Sequence, residues 1–104
     1  MNNKIRSRDP MKIVGRPLLI DFCEAYPLSK NWLDNWVADA TAAKWKTPQD
    51  IKNRYSSASF LAGNTVIFNV GGNKYRMETR VAYNVGVVSI TWIGTHAEYS
   101  RRQK

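Results

Sequence analysis

The chain has 104 residues, of which 43% are hydrophobic and 23% charged. These values are typical of one small folded domain and argue against wholesale disorder. Its one cysteine and one histidine exclude a disulfide framework and a metal site built on clustered cysteines or histidines. No apolar run is long enough for a membrane-spanning helix or a secretory signal. We therefore expect a cytoplasmic domain without membrane association, metal or cofactor.

The charge of the chain is strongly positive and unevenly distributed. Lysine and arginine number 16 against 8 acidic residues, a net charge of +8. Most of the excess lies in residues 51–104, which hold eight cations and only two acids. A basic field of this kind attracts polyanions. It favours nucleic acid, or an acidic protein that mimics it, as the partner; the alternative is that the charge only keeps the protein soluble.

The first third of the chain has helical patterns. Residues 1–10 are interpreted as a basic tail, so that a single domain is predicted over residues 11–104. A short strand is expected over residues 12–14. Pro17 suits the first turn of a helix, and Pro27 should end that helix.

Two further helices are predicted before the pattern changes. Ser29 is placed to cap a helix with an apolar stripe. Thr47 and Asp50 resemble a capping box that opens a short helix through about Tyr55. The stripe of the earlier helix consists of Trp32, Leu33, Trp36, Val37 and Ala40.

The second half of the chain has strand patterns. Residues 65–70 are β-branched and aromatic, Gly71 and Gly72 suit a tight turn, and residues 74–83 alternate strictly. The apolar run 87–93 predicts a central strand buried on both faces, with Trp92 inside it, that Gly94 ends.

A final short helix completes the predicted fold. Thr95 and Glu98 form a second capping box, and the helix should end at Arg101 and Arg102. The class is α+β: a small antiparallel sheet of about four strands, two to three N-terminal helices on one face, and a short C-terminal helix.

The alternating strand 74–83 is the most informative segment. Its outward positions place Lys74, Arg76 and Arg80 in a row, at steps of about 6.5–7 Å. Arginine forks suit bidentate contact with phosphate. The alternative is a solvated strand face on which Arg76 pairs with Glu78.

The only histidine, His96, is placed at the first turn of the last helix, where backbone N–H groups favour an anion. Tyr99 follows three residues later and can share the same face. The alternative is that Thr95 and Glu98 merely cap the helix and that His96 is an ordinary surface residue.

These residue types fit the cleavage of RNA without a metal. The 2′-hydroxyl would attack the phosphate, so that a base, an acid and cations are needed. The acid–base roles would fall among His96, Tyr99 and Lys74, with Glu78 or Glu98 as further candidates. Arg76 and Arg80 would bind the phosphate.

Two motifs carry a resemblance to a known family. Residues 68–76, Phe-Asn-Val-Gly-Gly-Asn-Lys-Tyr-Arg, and residues 95–99, Thr-His-Ala-Glu-Tyr, resemble the HigB group of type II toxins in the RelE-like superfamily. The similarity covers about residues 11–102. It implies a RelE-like fold and an mRNA endonuclease (mRNA interferase) that acts in the ribosomal A site, inhibits translation and arrests growth.

The resemblance also implies partners and site residues. The partners would be mRNA on the translating ribosome and a HigA-type antitoxin with a helix-turn-helix domain. Expected catalytic residues are His96, Tyr99, Arg76 and Lys74. Expected RNA-binding residues are Asn73, Arg80, Thr95, Arg101 and Arg102.

Three other functions remain compatible with the same residues. The chain could be a non-catalytic nucleic-acid-binding module that uses the basic strand, or a ribonuclease that acts on free RNA. It could also act only through an acidic protein partner. Substitutions of His96 and of Arg76 separate catalysis from binding.

Overall fold

The computed structural model describes residues 11–102, so the predicted tail over residues 1–10 lies outside the described part of the chain. One 3-10 turn, Pro27–Ser29, joins the first two helices. The strands and helices, in chain order, are β1 (Lys12–Val14), α1 (Arg16–Ala25), α2 (Lys30–Ala42), α3 (Pro48–Arg54), β2 (Ser59–Leu61), β3 (Thr65–Val70), β4 (Tyr75–Ala82), β5 (Val87–Thr95) and α4 (His96–Arg102).

The strands form one sheet in the order β1-β5-β4-β3-β2. The pairs β2–β3, β3–β4 and β4–β5 are antiparallel, whereas β1 pairs with β5 in parallel. The predicted α+β class is confirmed, but the sheet is mixed and has five strands rather than about four. The unpredicted strand is β2, whose three residues are too few to show an alternating pattern.

The core lies between the sheet and the N-terminal helices. Trp36 of α2 and Phe68 of β3 meet edge to face, with ring centroids 5.4 Å apart. The predicted alternation of β4 is confirmed, because every second residue is buried. The residues of β4 that face the core are Tyr75, Met77, Thr79 and Val81.

The prediction for β5 is wrong in two respects. The strand continues through Gly94 to Thr95, and α4 follows at once. Thr91 is exposed and Trp92 only partly buried, so one face of β5 is not part of the core. A β-bulge decides which residues face outwards: the register with β4 shifts between Glu78 and Thr79, which leaves Thr91 as the extra residue and pairs Trp92 with the outward-facing Glu78.

The capping predictions have different outcomes. Thr47 and Asp50 form a complete capping box at the start of α3. Ser29 precedes α2 but does not cap it: its hydroxyl donates to the Tyr26 carbonyl oxygen at 2.8 Å. The backbone of Ser29 is already helical (φ −81°, ψ −16°), whereas a capping side chain requires an extended residue.

Candidate functional site

The start of β4 and the end of β5 bring distant residues together. Tyr75 pairs with Thr95 and Arg76 with Gly94. Beyond the last pair, the backbone N–H of His96 donates to the carbonyl oxygen of Lys74 at 3.0 Å. Two predicted site residues, 22 positions apart in sequence, therefore lie side by side, and both are exposed.

The turn between β3 and β4 fixes Arg76. Gly71 and Gly72 have positive φ angles of 61° and 74°, a conformation that glycine adopts at little cost. The Arg76 guanidinium donates to the Asn73 side-chain oxygen and to the Tyr75 carbonyl oxygen, both at 3.2 Å. Since a guanidinium has five N–H donors, Arg76 is positioned by the turn and still has donors for a phosphate.

The capping box at the start of α4 occupies backbone groups that the sequence suggested for an anion. The Thr95 N–H donates to the Glu98 carboxylate at 2.8 Å, and the Glu98 N–H donates to the Thr95 hydroxyl at 3.1 Å. The His96 N–H is already bound to Lys74. An anion at this place must therefore be bound mainly by side chains.

Helix α4 packs on the outer face of the sheet, opposite the core. Tyr99 lies on Trp92, with ring centroids 6.1 Å apart, and the Arg102 guanidinium lies 4.4 Å from the centre of the same indole. Gly94 makes this packing possible, because a Cβ there would lie 2.6 Å from the Trp92 ring. Trp92 thus orients Tyr99, a role that the prediction of a buried tryptophan missed.

Arg102 and Glu78, two charged residues of the predicted set, form an ion pair with each other. Arg102 binds Glu78 at 3.0 Å, and the other oxygen of Glu78 accepts from the Thr91 hydroxyl at 3.1 Å. The pair of Glu78 with Arg76, which was the alternative to phosphate binding, is not formed. Sequence could not show the Arg102 pair, because its partners are 24 positions apart.

Two further predicted RNA-binding residues, Arg80 and Arg101, lie farther along their strand and helix. Arg80 is exposed and follows Arg76 by four residues, or about 13 Å along a strand. Arg101 is exposed on the last turn of α4. The structure therefore brings together one cluster, which we call the strand-end cluster: Asn73, Lys74, Arg76, Thr95, His96 and Tyr99.

Within residues 11–102, no three histidine, cysteine or acidic side chains lie close enough together to hold a metal ion. None of the helices in the same part of the chain is long and apolar enough to cross a membrane.

The strand-end cluster lies entirely inside a region that matches a known family. Residues 29–102 match the family model described as HigB_toxin, RelE-like toxic component of a toxin-antitoxin system. The matched region runs from the start of α2 to the end of α4 and includes strands β2 to β5 but not β1. No match to an individual curated protein was found.

Proposed function

Because the chain belongs to the HigB family of RelE-like toxins, we propose that it is an mRNA endonuclease that acts on message during translation. Membership makes it the toxic component of a toxin–antitoxin system, with an antitoxin as its partner. The observation that carries the proposal is the strand-end cluster. An exposed imidazole, an exposed ammonium group and a positioned guanidinium lie there at the ends of two adjacent strands.

The proposed reaction uses the RNA as its own nucleophile. The 2′-hydroxyl attacks the adjacent phosphorus and loses its proton to a base, while the 5′-oxygen of the next nucleotide leaves with a proton from an acid. The products are a 2′,3′-cyclic phosphate and a free 5′-hydroxyl. Lys74 and Arg76 stabilise the negative charge that develops on the phosphate oxygens.

His96 is the strongest candidate for proton transfer. The carboxylate of Glu98 is bound to the Thr95 N–H, and that of Glu78 to Arg102 and Thr91. Imidazole is the side chain most often used for general acid–base catalysis. Tyr99, three residues along the helix, is the candidate for the second proton.

The dependence on translation is proposed from what the cluster lacks. It holds one imidazole, and the carboxylates beside it are engaged in other contacts. Correct placement of reacting groups can supply about 7–11 kcal/mol of a barrier. A ribosome that holds the message extended over the cluster would supply this placement, so naked RNA is expected to be a poor substrate.

The test is primer extension on one defined mRNA in a purified translation system, with and without translating ribosomes. Wild type is compared with His96→Ala and with Lys44→Ala, a matched control whose side chain is exposed in the loop before α3. We expect ribosome-dependent cuts from wild type and Lys44→Ala, and a loss of about 10²- to 10⁴-fold for His96→Ala. Undiminished cutting by His96→Ala would reject His96 as the acid or base.

This assay, together with a measurement of RNA binding, distinguishes the other functions. Cuts of equal rate on naked RNA would retain the endonuclease and reject the ribosome requirement. RNA binding that falls with Arg76→Ala, without cuts in any arm, would support a non-catalytic binding module. Such binding should weaken with salt, because phosphate contacts release counterions.

We propose that the antitoxin is of the HigA type, with a helix-turn-helix domain. Its binding should neutralise the toxin, and the pair should repress transcription of their own genes. Co-expression of the two proteins should restore growth and yield a complex. A toxin that copurifies only with an antitoxin lacking a helix-turn-helix domain would contradict this assignment.

A further inference from the structure

A polar cavity opens beside the strand-end cluster and is not used in the proposed reaction. Its volume is about 250 Å³. Its walls come from α2, the end of α3, the segment after α3, β3 and the β3–β4 turn. The residues that matter below are Trp32, Tyr55, Ser57, Asn69 and Gly72.

We propose that this cavity binds one nucleobase of the RNA whose phosphate is bound at Arg76. The inference rests on the proposed endonuclease function and adds the source of its base preference. We call the cavity the base pocket. Its aromatic wall, its hydrogen-bonding group and its position each support a nucleobase.

The aromatic wall is formed by Trp32 and Tyr55, whose ring centroids lie 5.8 Å apart at an interplanar angle of 52°. Trp32 is only half-buried, whereas Trp36, one helical turn later, is completely buried. Nucleobases stack on accessible aromatic faces of this kind.

Tyr55 is held rigidly in this wall. Its hydroxyl donates to Asp39, which also binds Arg54 at 2.6 Å. The Arg54 guanidinium lies 5.0 Å from the centre of the Tyr55 ring. Burial, followed by the hydrogen bond to Asp39, raises the pKa of Tyr55, so the phenol stays protonated and the wall keeps its shape.

The hydrogen-bonding group is the side-chain amide of Asn69. Its nitrogen donates to the Ser57 carbonyl oxygen at 3.3 Å, which fixes the plane of the amide. Its oxygen has no hydrogen-bond partner among residues 11–102. An asparagine amide offers a donor and an acceptor side by side, and it reads base edges by this pair of groups.

The base pocket lies next to the positioned guanidinium. Asn69 of β3 is the register partner of Arg76 of β4, and neighbouring strands lie about 4.8 Å apart. Gly72 lines the pocket in the same turn that carries Asn73, the hydrogen-bond partner of Arg76. A nucleotide with its phosphate at Arg76 can therefore place its base across Asn69, against Trp32.

The first test does not depend on cleavage. The His96→Ala protein is titrated with each of the four nucleoside 3′-monophosphates and, separately, with inorganic phosphate. The readouts are the NMR signals of the Trp32 indole N–H, assigned by Trp32→Phe, and of the Asn69 side-chain amide. We expect saturable shifts of both signals with at least one nucleotide and none with phosphate. The absence of shifts, or equal shifts with phosphate alone, would overturn the base pocket.

The second test uses the distribution of cuts. Asn69→Ala should relax the base preference at the cleavage site by about two- to tenfold, the loss expected for one hydrogen bond. Asn53→Ala on the exposed side of α3 is the matched control and should leave the preference unchanged.

The outcomes separate this inference from the endonuclease proposal. Full cleavage by Asn69→Ala with an unchanged base preference would reject the base pocket and leave the endonuclease in place. Nucleotide-dependent NMR shifts together with no cleavage by wild type would reject the endonuclease and leave the pocket as a binding site. The nucleotide titration of the His96→Ala protein decides the question even where Asn69→Ala fails to fold.

Discussion

Helices α3 and α4 begin with the same motif, a threonine followed three residues later by an acid, but they are held in place differently. Thr47 and Asp50 open α3, which inserts the fully buried Ile51 into the core. Thr95 and Glu98 open α4, which has no buried residue. The capping box therefore determines where a helix begins, while neighbouring elements determine how firmly it is anchored.

The two helices also differ in what precedes them. α3 follows a loop, whereas α4 continues directly from β5, and the His96 N–H joins it to Lys74. The sheet thus positions the first residue of α4 without burying the helix. A side chain placed in this way is well oriented and still open to a large substrate.

The largest expected difference between the helices is in stability. Ile51→Ala should lower the free energy of unfolding by about 2–5 kcal/mol, because it leaves a cavity in the core. Tyr99→Ala should cost clearly less, because Tyr99 is only partly buried. Urea denaturation measures both. Equal losses would mean that α4 is anchored as firmly as α3.

Gly94→Ala should disturb α4 specifically. The new Cβ would lie 2.6 Å from the Trp92 ring and 2.7 Å from a carboxylate oxygen of Glu98, so both must move. We expect a loss of about 1–3 kcal/mol, a changed near-ultraviolet circular dichroism spectrum and slower cleavage. Ser89→Ala, on the same face of β5, is the control; a Gly94→Ala protein that matches it would show that the contact is relieved without consequence.

Matched cap substitutions should separate stability from activity. Thr47→Ala and Thr95→Ala each remove a side-chain acceptor and should each cost about 1 kcal/mol. Only Thr95→Ala should slow cleavage per folded molecule, and Thr95→Ser should restore it. Unchanged cleavage per folded molecule for Thr95→Ala would indicate that this cap, like that of Thr47, acts through stability alone.

The smallest expected effect is the pH dependence of the α3 cap. The hydrogen bond from the Lys46 N–H lowers the pKa of Asp50 from its usual 3.8, and the N–H and hydroxyl of Thr47 add to this effect. Desolvation raises the pKa but does not outweigh these hydrogen bonds. The ionised carboxylate is therefore the stabilising form. Its contribution is present above the unfolded pKa and is lost as the pH falls through the folded pKa.

Urea midpoints of wild type and Asp50→Asn, measured from neutral pH downwards, test this dependence. The difference should be largest near neutrality and should shrink below a pH of about 4. A difference that grows as the pH falls would contradict the assigned hydrogen bonds.

The sequence predicts what depends on local pattern and fails where distant residues decide. The capping boxes, the strand over 65–70 and the alternation of β4 each follow from short-range rules, and they are confirmed. The all-apolar run of β5 could not reveal a bulge, because a bulge is a relation between two strands. Its displaced register turns Trp92 outwards.

The same limit applies to the site. The motif spacing placed Asn73 near Arg76, and the structure joins their side chains. The pairing of Arg102 with Glu78 depends on how α4 crosses the sheet. The base pocket combines Trp32 with Asn69, two residues from opposite halves of the fold, and no local pattern relates them.

The strand order has a consequence for the synthesis of the protein. β5 is the last strand to be made, yet it lies between β1 and β4. Lys12 of β1 pairs with Val87 of β5, 75 residues later, so β1 cannot pair before β5 has been made. The non-local pairing that closes the sheet is therefore delayed, and the same step brings His96 to Lys74. An unfinished nascent chain therefore has no assembled strand-end cluster until β5 has been made and has paired with β4.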